Sequence, residues 1–503
     1  MFKMLGQHIP LLAIGGLFLY VLCRSIVESL EARRFSKKHG CQPAPRIHQS
    51  SLLFGLDLFK KLKHDIENRT RLEENTRYAL VTGNRTSTAV VLGQSFVSTT
   101  DPENVKAVLA TNFNDYGIGP RISAFGPLLG RGIFTADDVH WEHSRALIRP
   151  GFTRAQVADL DSVETHVQNL LKRLPPDGVT VDLQPLFFNL TIDNATDFLF
   201  GQSINCQASP EGSEAWNFAE AFDNAQIKLQ KKAQLGKLAF LLRDPECEHA
   251  CRLVHQFVDS YIRKALGPSG HGTKTGRYNL LNELAAACPD EIQLRNELLN
   301  VLLAARDTTA SLLSSIFYFL ARYPTAWTRL SEEVNELHGE FPDYEKLKNM
   351  RYLKSVLNET LRLLPPVPTN TRFARAHTVL PRGGGPKGLS PVFVAKGTPV
   401  FYSVYTMHRL PEIYGYDAAA FRPERWLAES PPLRPGWGFL PFNGGPRICL
   451  GQQSALTEAS YTVVRLLQTF DRLAVRDEKP WQENLGLTMS NFNGTKVALW
   501  KRA

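Results

Sequence analysis

From Leu298 to Leu320 the chain is nearly all apolar, its principal polar residues being Arg306, Asp307, Thr308, Thr309, Ser311, Ser314 and Ser315. The helical pattern that contains this stretch extends from Asp290 to Arg322. A helix that is apolar around its whole circumference has no face to offer water, so it predicts a rod running through the middle of a large body. Burying an acid and hydroxyls along such a rod costs free energy, and a core helix that keeps them generally uses them. The plainer alternative is a polar cluster lining an internal water site.

Other helical patterns run from Arg154 to Leu174, Ala215 to Leu242, Cys251 to Leu266, Thr325 to His338 and Gln452 to Phe470. Strand-like runs are fewer: Ala79 to Val81, Ala89 to Leu92, Phe373 to Leu380 and Val400 to Val404. Two blocks of helix thus bracket a small sheet region, which predicts a mainly α protein with a small β portion. A length of 503 residues would ordinarily suggest several domains. Without a long flexible linker, low-complexity tract or repeat, residues 49–503 read instead as one globular body. A hydrophobic content of 43% excludes disorder as the main state.

The formal charge of +9 is spread along the chain and not interleaved with aromatic residues, so no nucleic-acid partner is expected. Seven irregularly spaced cysteines indicate a reducing compartment and no disulfide framework. Residues 9–27 are apolar apart from Arg24 and Ser25, just long enough to cross a bilayer, which needs about 20 helical residues. Arg33, Arg34, Lys37, Lys38 and Arg46 follow this span, against Lys3 alone before it. That asymmetry predicts a single-pass transmembrane helix with residues 1–8 in the lumen and the globular domain in the cytosol. A cleaved signal peptide is the alternative, disfavoured because no small-residue cleavage site comes after the span. Residues 28–48 form a basic linker in which Gln42-Pro43-Ala44-Pro45 is a stiff hinge. Six N-x-[ST] sequons lose their meaning in a cytosolic domain.

Near the C-terminus stands Phe439-Leu440-Pro441-Phe442-Asn443-Gly444-Gly445-Pro446-Arg447-Ile448-Cys449-Leu450-Gly451, succeeded at once by a helical pattern. The glycines allow close backbone approach. Cys449 precedes a helix N-terminus, whose partial positive charge favours thiolate over thiol. A thiolate so placed is a nucleophile or a metal ligand, and Arg447 supplies a cation to pair with a carboxylate. Alone, a cysteine in a glycine-rich turn is more often structural. The run Phe442 to Gly451, however, matches F-x-x-G-x-R-x-C-x-G in full and resembles the haem-binding loop of the cytochrome P450 superfamily.

The resemblance implies haem b with Cys449 as axial iron ligand, the ligation that favours O–O cleavage, and places Phe442, Arg447 and Gly451 in the cofactor-binding loop. Further motifs stand in the family's order. Trp141-Glu142-His143-Ser144-Arg145 resembles W-x-x-x-R of the family's helix C, implying that Trp141 and Arg145 bind the haem propionates. Ala304 to Thr309 resembles the oxygen-binding motif of its long central helix I, implying Asp307 and Thr308 as a proton relay. Ala305 stands where glycine is usual. Glu359-Thr360-Leu361-Arg362 resembles E-x-x-R of helix K, and Phe421 to Trp426 its partner segment, implying a structural network of Glu359, Arg362 and Arg425. Arg372 occupies the place of another propionate cation. The implied fold is the cytochrome P450 fold, a helix-rich body with minor β-sheets.

The activity that the family resemblance implies is insertion of one atom of O₂ into a C–H bond of a lipophilic small molecule. No flavin or dinucleotide fingerprint stands in the chain, so NADPH-derived electrons are expected from an NADPH-dependent diflavin reductase, with cytochrome b5 as a second donor, at the endoplasmic reticulum membrane. Gly126 to Phe134, His140 to Arg145 and Tyr405 to Arg409 are similar to fungal alkane- and fatty-acid-hydroxylating members, which favours a long alkyl chain as substrate. A secondary-metabolite intermediate fits nearly as well. Substrate contacts are expected in Phe113–Gly126, Ile204–Leu242, Ala304, Pro368–Arg372 and Thr488–Phe492. The competing readings are a peroxide isomerase or dehydratase on the same haem-thiolate, which needs no proton relay, and a non-catalytic haem-binding protein, which leaves Asp307 and Thr308 without purpose.

Overall fold

The computed structural model describes residues 2–50, 54–234, 243–267, 278–427 and 433–502, with side chains along the first helix at 16, 19, 20 and 22 onward. It comprises two compact units. The smaller contains Met1–Lys60, Val81–Gly117 and Thr371–Tyr402, and the larger Lys61–Leu80, Ile118–Asn370 and Ser403–Ala503. The helices used below are α1 (Phe2–Lys38), α2 (Arg71–Thr82), α3 (Asp138–Ile148), α4 (Asp161–Arg173), α5 (Leu183–Phe200), α6 (Glu214–Gln234), α7 (Pro245–Leu266), α8 (Glu291–Arg322), α9 (Pro324–Asn335), α10 (Arg351–Leu363) and α11 (Gln452–Thr469). The strands are β1 (Thr86–Val91), β2 (Gln94–Thr99), β3 (Tyr116–Gly117), β4 (Val181–Asp182), β5 (Thr369–Ala374), β6 (Thr378–Gly384), β7 (Ser390–Val394), β8 (Pro399–Ser403), β9 (Phe470–Val475), β10 (Glu483–Leu485), β11 (Met489–Asn491) and β12 (Lys496–Lys501).

In the smaller unit a five-stranded sheet has the order β1-β2-β8-β5-β3, with β2 and β8 parallel and the β1–β2 and β3–β5 pairs antiparallel. A separate hairpin joins β6 and β7. Helix α1 stops at Lys38, where Gly40 takes the left-handed conformation at φ 62° and the Cys41 N–H donates back to the Ser36 carbonyl at 2.9 Å. The Gln42–Pro45 segment does not hang free: the Gln42 N–H donates to the Pro391 carbonyl at 2.8 Å and the Ile47 N–H to that of Thr88 at 2.9 Å. Among the described residues no helix is long and apolar enough to cross a membrane. The expected span, residues 9–27, falls within α1, and most of its side chains lie outside the described residues.

The larger unit is built around α8. Its N-cap Asp290 accepts the Gln293 N–H, and the helix continues unbroken to Arg322. One apolar cluster gathers its C-terminal half with α4, α5, α9, α10 and α11, including Phe187, Phe317, Leu330, Val356 and Val464. A second gathers its N-terminal half with α6 and α7, including Phe222, Val254, Leu298 and Leu302. A three-stranded sheet β4-β12-β9 and the β10–β11 hairpin complete the unit.

The structure departs from the sequence expectations in three places. Ala79 to Val81 ends α2 and is not a strand; Leu72, Thr76 and Ala79 are its buried residues, a helical spacing that outweighs the local β-branched character. Phe373 to Leu380 is two strands separated by Arg375–His377. The pattern from Arg154 breaks after Val157, and α4 begins at Asp161, whose N–H the Asp159 side chain accepts. Residues 235–242, the end of the expected Ala215–Leu242 helix, lie outside the described residues.

Candidate haem site

The loop before α11 is shaped by backbone constraints. Asn443 and Gly445 have φ of 62° and 69°, and a short 3-10 turn spans Gly445–Arg447. A Cβ added at Gly444 would stand 2.7 Å from the Trp437 ring, so only glycine fits without displacement. The Cys449 N–H donates to the Phe442 carbonyl at 3.0 Å, closing the loop. Cys449 therefore sits two residues before the Gly451 N-cap of α11.

Helix placement alone suggests a depressed thiol pKa, but the structure gives the opposite direction. Burial pushes the Cys449 thiol up, against the opposing pulls of the Gly451 N–H and the Arg145 charge. The side chain still has free surface, and so does its neighbour Ile448, 41% exposed. The protein around the sulfur nonetheless desolvates it. A free thiolate is disfavoured there, whereas a metal would impose deprotonation outright. This position thus suits a metal ligand better than a nucleophile. Among the described residues no group of three His, Cys, Asp or Glu is placed to hold a metal ion, so iron on this sulfur would draw its other ligands from a cofactor.

Arg145, on α3, donates from Nη1 to the Ile448 carbonyl at 2.9 Å, a backbone partner that leaves its charge uncancelled. Burial pushes its guanidinium pKa down, with Cys449 opposing. A cation held this way beside Cys449 matches the anionic edge of a haem. Trp141 is buried one turn earlier, with the Arg447 guanidinium 4.3 Å from its ring centre. Arg447 itself is paired: Nη2 donates to Asp137 Oδ1 at 2.7 Å and to the Ala136 carbonyl at 3.0 Å. Arg372 belongs to the smaller unit, where it is buried on β5 and donates to the Thr371 carbonyl.

On α8 every residue from Asn296 to Ala321 is buried except Ala304, Ala305 and Thr308. Their i, i+1, i+4 spacing puts them on one face, so the rod opens to space at a single window. The Thr308 hydroxyl donates to the Ala304 carbonyl at 2.7 Å, and the helix is regular through Ala305. Asp307 is turned into protein: Arg306 Nη1 donates to its Oδ1 at 3.1 Å. Burial pushes its carboxyl up to about 6, with Arg306 pulling down and Asp223 pushing up. A group poised there both takes and gives protons near neutral pH.

Glu359, on α10, is fully buried and accepts from Arg362 Nε at 2.8 Å and Nη2 at 2.7 Å, Arg425 Nε at 2.8 Å, Trp426 Nε1 at 2.9 Å and the Arg422 N–H at 2.9 Å. Arg362 also donates to the carbonyls of His408, Ala418 and Ala420. His408 ties this network to the cysteine loop, its Nδ1 facing the Arg362 carbonyl and its Nε2 accepting the Leu440 N–H. Burial pushes its pKa down to about 3, so it stays neutral, and this pairing fixes the proton on Nδ1.

Sequence reasoning missed Asp137, His408, Asp223 and Glu297. Asp137 carried a legible signal, an acid directly before a helix start. Glu297 lies on α8, 1% exposed; the Ser144 hydroxyl donates to its Oε1 and its Oε2 has no partner. Burial pushes its carboxyl up to about 7.

The chain matches the family model for cytochrome P450 over residues 67–494. It is 44% identical to the cytochrome P450 monooxygenase himC of Aspergillus japonicus, over 97% of this chain and 89% of that one. It is 43% identical to cytochrome P450 52A13 of Debaryomyces hansenii, over 94% and 95% of the two chains. In fold it is similar to the crystal structure of the cytochrome P450DA heme domain, with a TM-score of 0.77 at 21% identity, covering 92% of this chain and 98% of that one. The chain belongs to the cytochrome P450 family, whose members are haem-thiolate oxidoreductases.

Proposed function

We propose that this protein is a monooxygenase that hydroxylates a long alkyl chain, of the alkane or fatty-acid kind, with Cys449 as the iron ligand of haem b. The observation that carries the reading is that Leu450, next to Cys449, and Ala305 of the Ala304-Ala305-Thr308 window pack against the same apolar cluster, with the cation Arg145 held on the Ile448 carbonyl beside the cysteine. When bound, the haem supplies O₂ activation and transfer of one oxygen atom to a C–H bond.

The residues of the chain supply the rest. Cys449 ligates the metal through Sγ. Arg145 and Trp141 hold the propionates, and the family resemblance adds Arg372 to them, while Phe442, Arg447 and Gly451 keep the loop in shape. Ala304 and Ala305 leave room at the window. Thr308 presents a hydroxyl there, and Asp307, one residue earlier, holds the proton that this hydroxyl passes on. The apolar cluster around the N-terminal half of α8 excludes water. Glu359, Arg362 and Arg425 hold the frame behind the cysteine loop.

The alkyl-chain substrate rests on the similarity of Gly126–Phe134, His140–Arg145 and Tyr405–Arg409 to fungal alkane- and fatty-acid-hydroxylating members. A secondary-metabolite substrate draws on the similarity to himC, named a monooxygenase of an Aspergillus. Electrons reach the site from an NADPH-dependent diflavin reductase, with cytochrome b5 as second donor. Residues 9–27 anchor the chain in the endoplasmic reticulum membrane with the catalytic body in the cytosol, supported by the basic residues beyond the span and by exposed Leu19, Tyr20, Leu22, Ile26 and Val27. The reading is tested by reconstituting the full chain with reductase, NADPH and a series of alkanes, fatty acids and polyketide-like lipids. Hydroxylated alkyl products with matching NADPH consumption support it; turnover of a hydroperoxide without NADPH refutes it. Alkaline carbonate extraction of the full chain and of a chain lacking residues 1–27 tests the anchor, and extraction of both as soluble protein contradicts it.

A further inference from the structure

Behind the α8 window lies a group of three charges. Arg306, 3% exposed, makes a two-pronged contact with Asp223 of α6: Nη1 meets Oδ1, and Nη2 meets Oδ2 at 2.9 Å. Asp307 receives only a single contact from the same Nη1, at 3.1 Å. The bidentate geometry, the stronger of the two, goes to Asp223. One cation is thereby shared between two carboxylates, and the buried one has the poorer share. Asp223 is the exposed member, its side chain 46% accessible, whereas that of Asp307 is 7% accessible.

We infer that Asp223 is a positioning residue for proton supply: by engaging Arg306 it withholds full compensation from Asp307, so that Asp307 exchanges a proton near neutral pH where a fully compensated carboxylate would stay ionised. This rests on the reading of Asp307 as the acid that serves Thr308. The other elements packed on the cluster bring one further pull on Asp307, from Gln226, which lowers its carboxyl. From α6, Gln226 hydrogen-bonds Asp307 and Phe222 places its ring 6.0 Å from the Arg306 guanidinium. From α5, Phe188 does so at 5.2 Å. Cys206, beyond α5, is held as a neutral thiol, pushed up to about 11 by burial and then by Asp193, with Arg306 and Arg173 opposing. Asp193 spends its carboxylate on the N–H groups of Cys206 and Gln207. Burial pushes the Asp307 carboxyl up to about 6, and Asp223 adds to that rise.

The test is Asp223→Asn, a change at a half-exposed position that leaves no buried charge without a partner, since Arg306 still meets Asp307. The readout is the infrared carboxylic-acid band of the haem-loaded protein against pH, assigned to Asp307 by its loss in Asp307→Asn. The wild-type band should titrate near 6. In Asp223→Asn and Asp223→Ser the midpoint falls by about one pH unit or more, which cuts the protonated fraction at neutral pH about tenfold, and Asp223→Glu restores it. An unchanged midpoint in both neutral variants overturns the inference. Peroxide released per NADPH separates it from the relay reading: a shifted midpoint with unchanged peroxide keeps the cluster and removes Asp307 from proton supply, whereas a fixed midpoint removes the cluster alone.

Discussion

Replacing Glu359 by glutamine tests how much of the frame depends on one carboxylate. Oε1 accepts from Arg362 Nη2, Arg425 Nε and the Arg422 N–H, and Oε2 from Arg362 Nε and Trp426 Nε1. An amide keeps one accepting oxygen. With that oxygen at Oε1, its NH₂ faces two donors, so both Oε2 bonds are lost and replaced by donor–donor conflict. Arg362, fully buried, keeps three backbone carbonyls but loses its counter-charge. Arg425 retains only Asp417, at 3.4 Å, as a carboxylate partner. Removing one partner of a buried ion pair costs about 3–5 kcal/mol, a large share of the roughly 5–15 kcal/mol that holds a typical domain folded. Urea unfolding followed by far-UV circular dichroism measures the loss, with Glu340→Gln as control, because the Glu340–Lys346 pair is exposed and its removal leaves the midpoint unchanged. A loss below about 1 kcal/mol for Glu359→Gln, the range of a surface pair, refutes the reasoning.

Glu297→Gln changes the pH dependence of stability. The carboxyl is raised from 4.5 to about 7 in the folded chain, so its contribution is full below about 4.5 and is lost as pH rises through 7. Wild type and variant should match near pH 4.5, and above pH 8 the variant should be the more stable by up to about 3 kcal/mol, read from urea midpoints at both pH values; parallel pH profiles would contradict this. Gly444→Ala forces a Cβ against the Trp437 ring and should cost about 1–3 kcal/mol, seen as faster haem loss; unaltered retention would show that the loop yields freely. Thr308→Ala leaves the Ala304 carbonyl without its hydroxyl partner and should preserve iron ligation while diverting reducing equivalents into peroxide. Equal coupling in wild type and variant would remove Thr308 from the relay.

Much of the fold is legible in residue patterns that a single element decides. An apolar stretch with no polar face becomes α8 with Asp290 at its cap, because a helix of that kind has nowhere to go but the interior. Short elements are less legible: Ala79 to Val81 looks like a strand by composition, but its burial is fixed by Leu72 and Thr76, two turns and one turn earlier. The direction of the Cys449 shift escapes the sequence because a helix terminus is visible there and the desolvating wall around the sulfur is not. Asp223 and His408 stay hidden for a similar reason. Each acts through a partner 83 or 46 positions away, Arg306 or Arg362, and such pairings arise only once the helices are packed.

The bond between the sulfur of Cys449 and the iron of a haem is what every assigned role depends on. The absorbance spectrum of the reduced, carbon-monoxide-bound protein reads that bond directly, since thiolate ligation shifts the main band to longer wavelength than histidine ligation does. Wild type should show the shifted band and Cys449→Ala should lose it. A wild-type spectrum of the histidine-ligated kind, or the shifted band surviving in Cys449→Ala, would contradict the account.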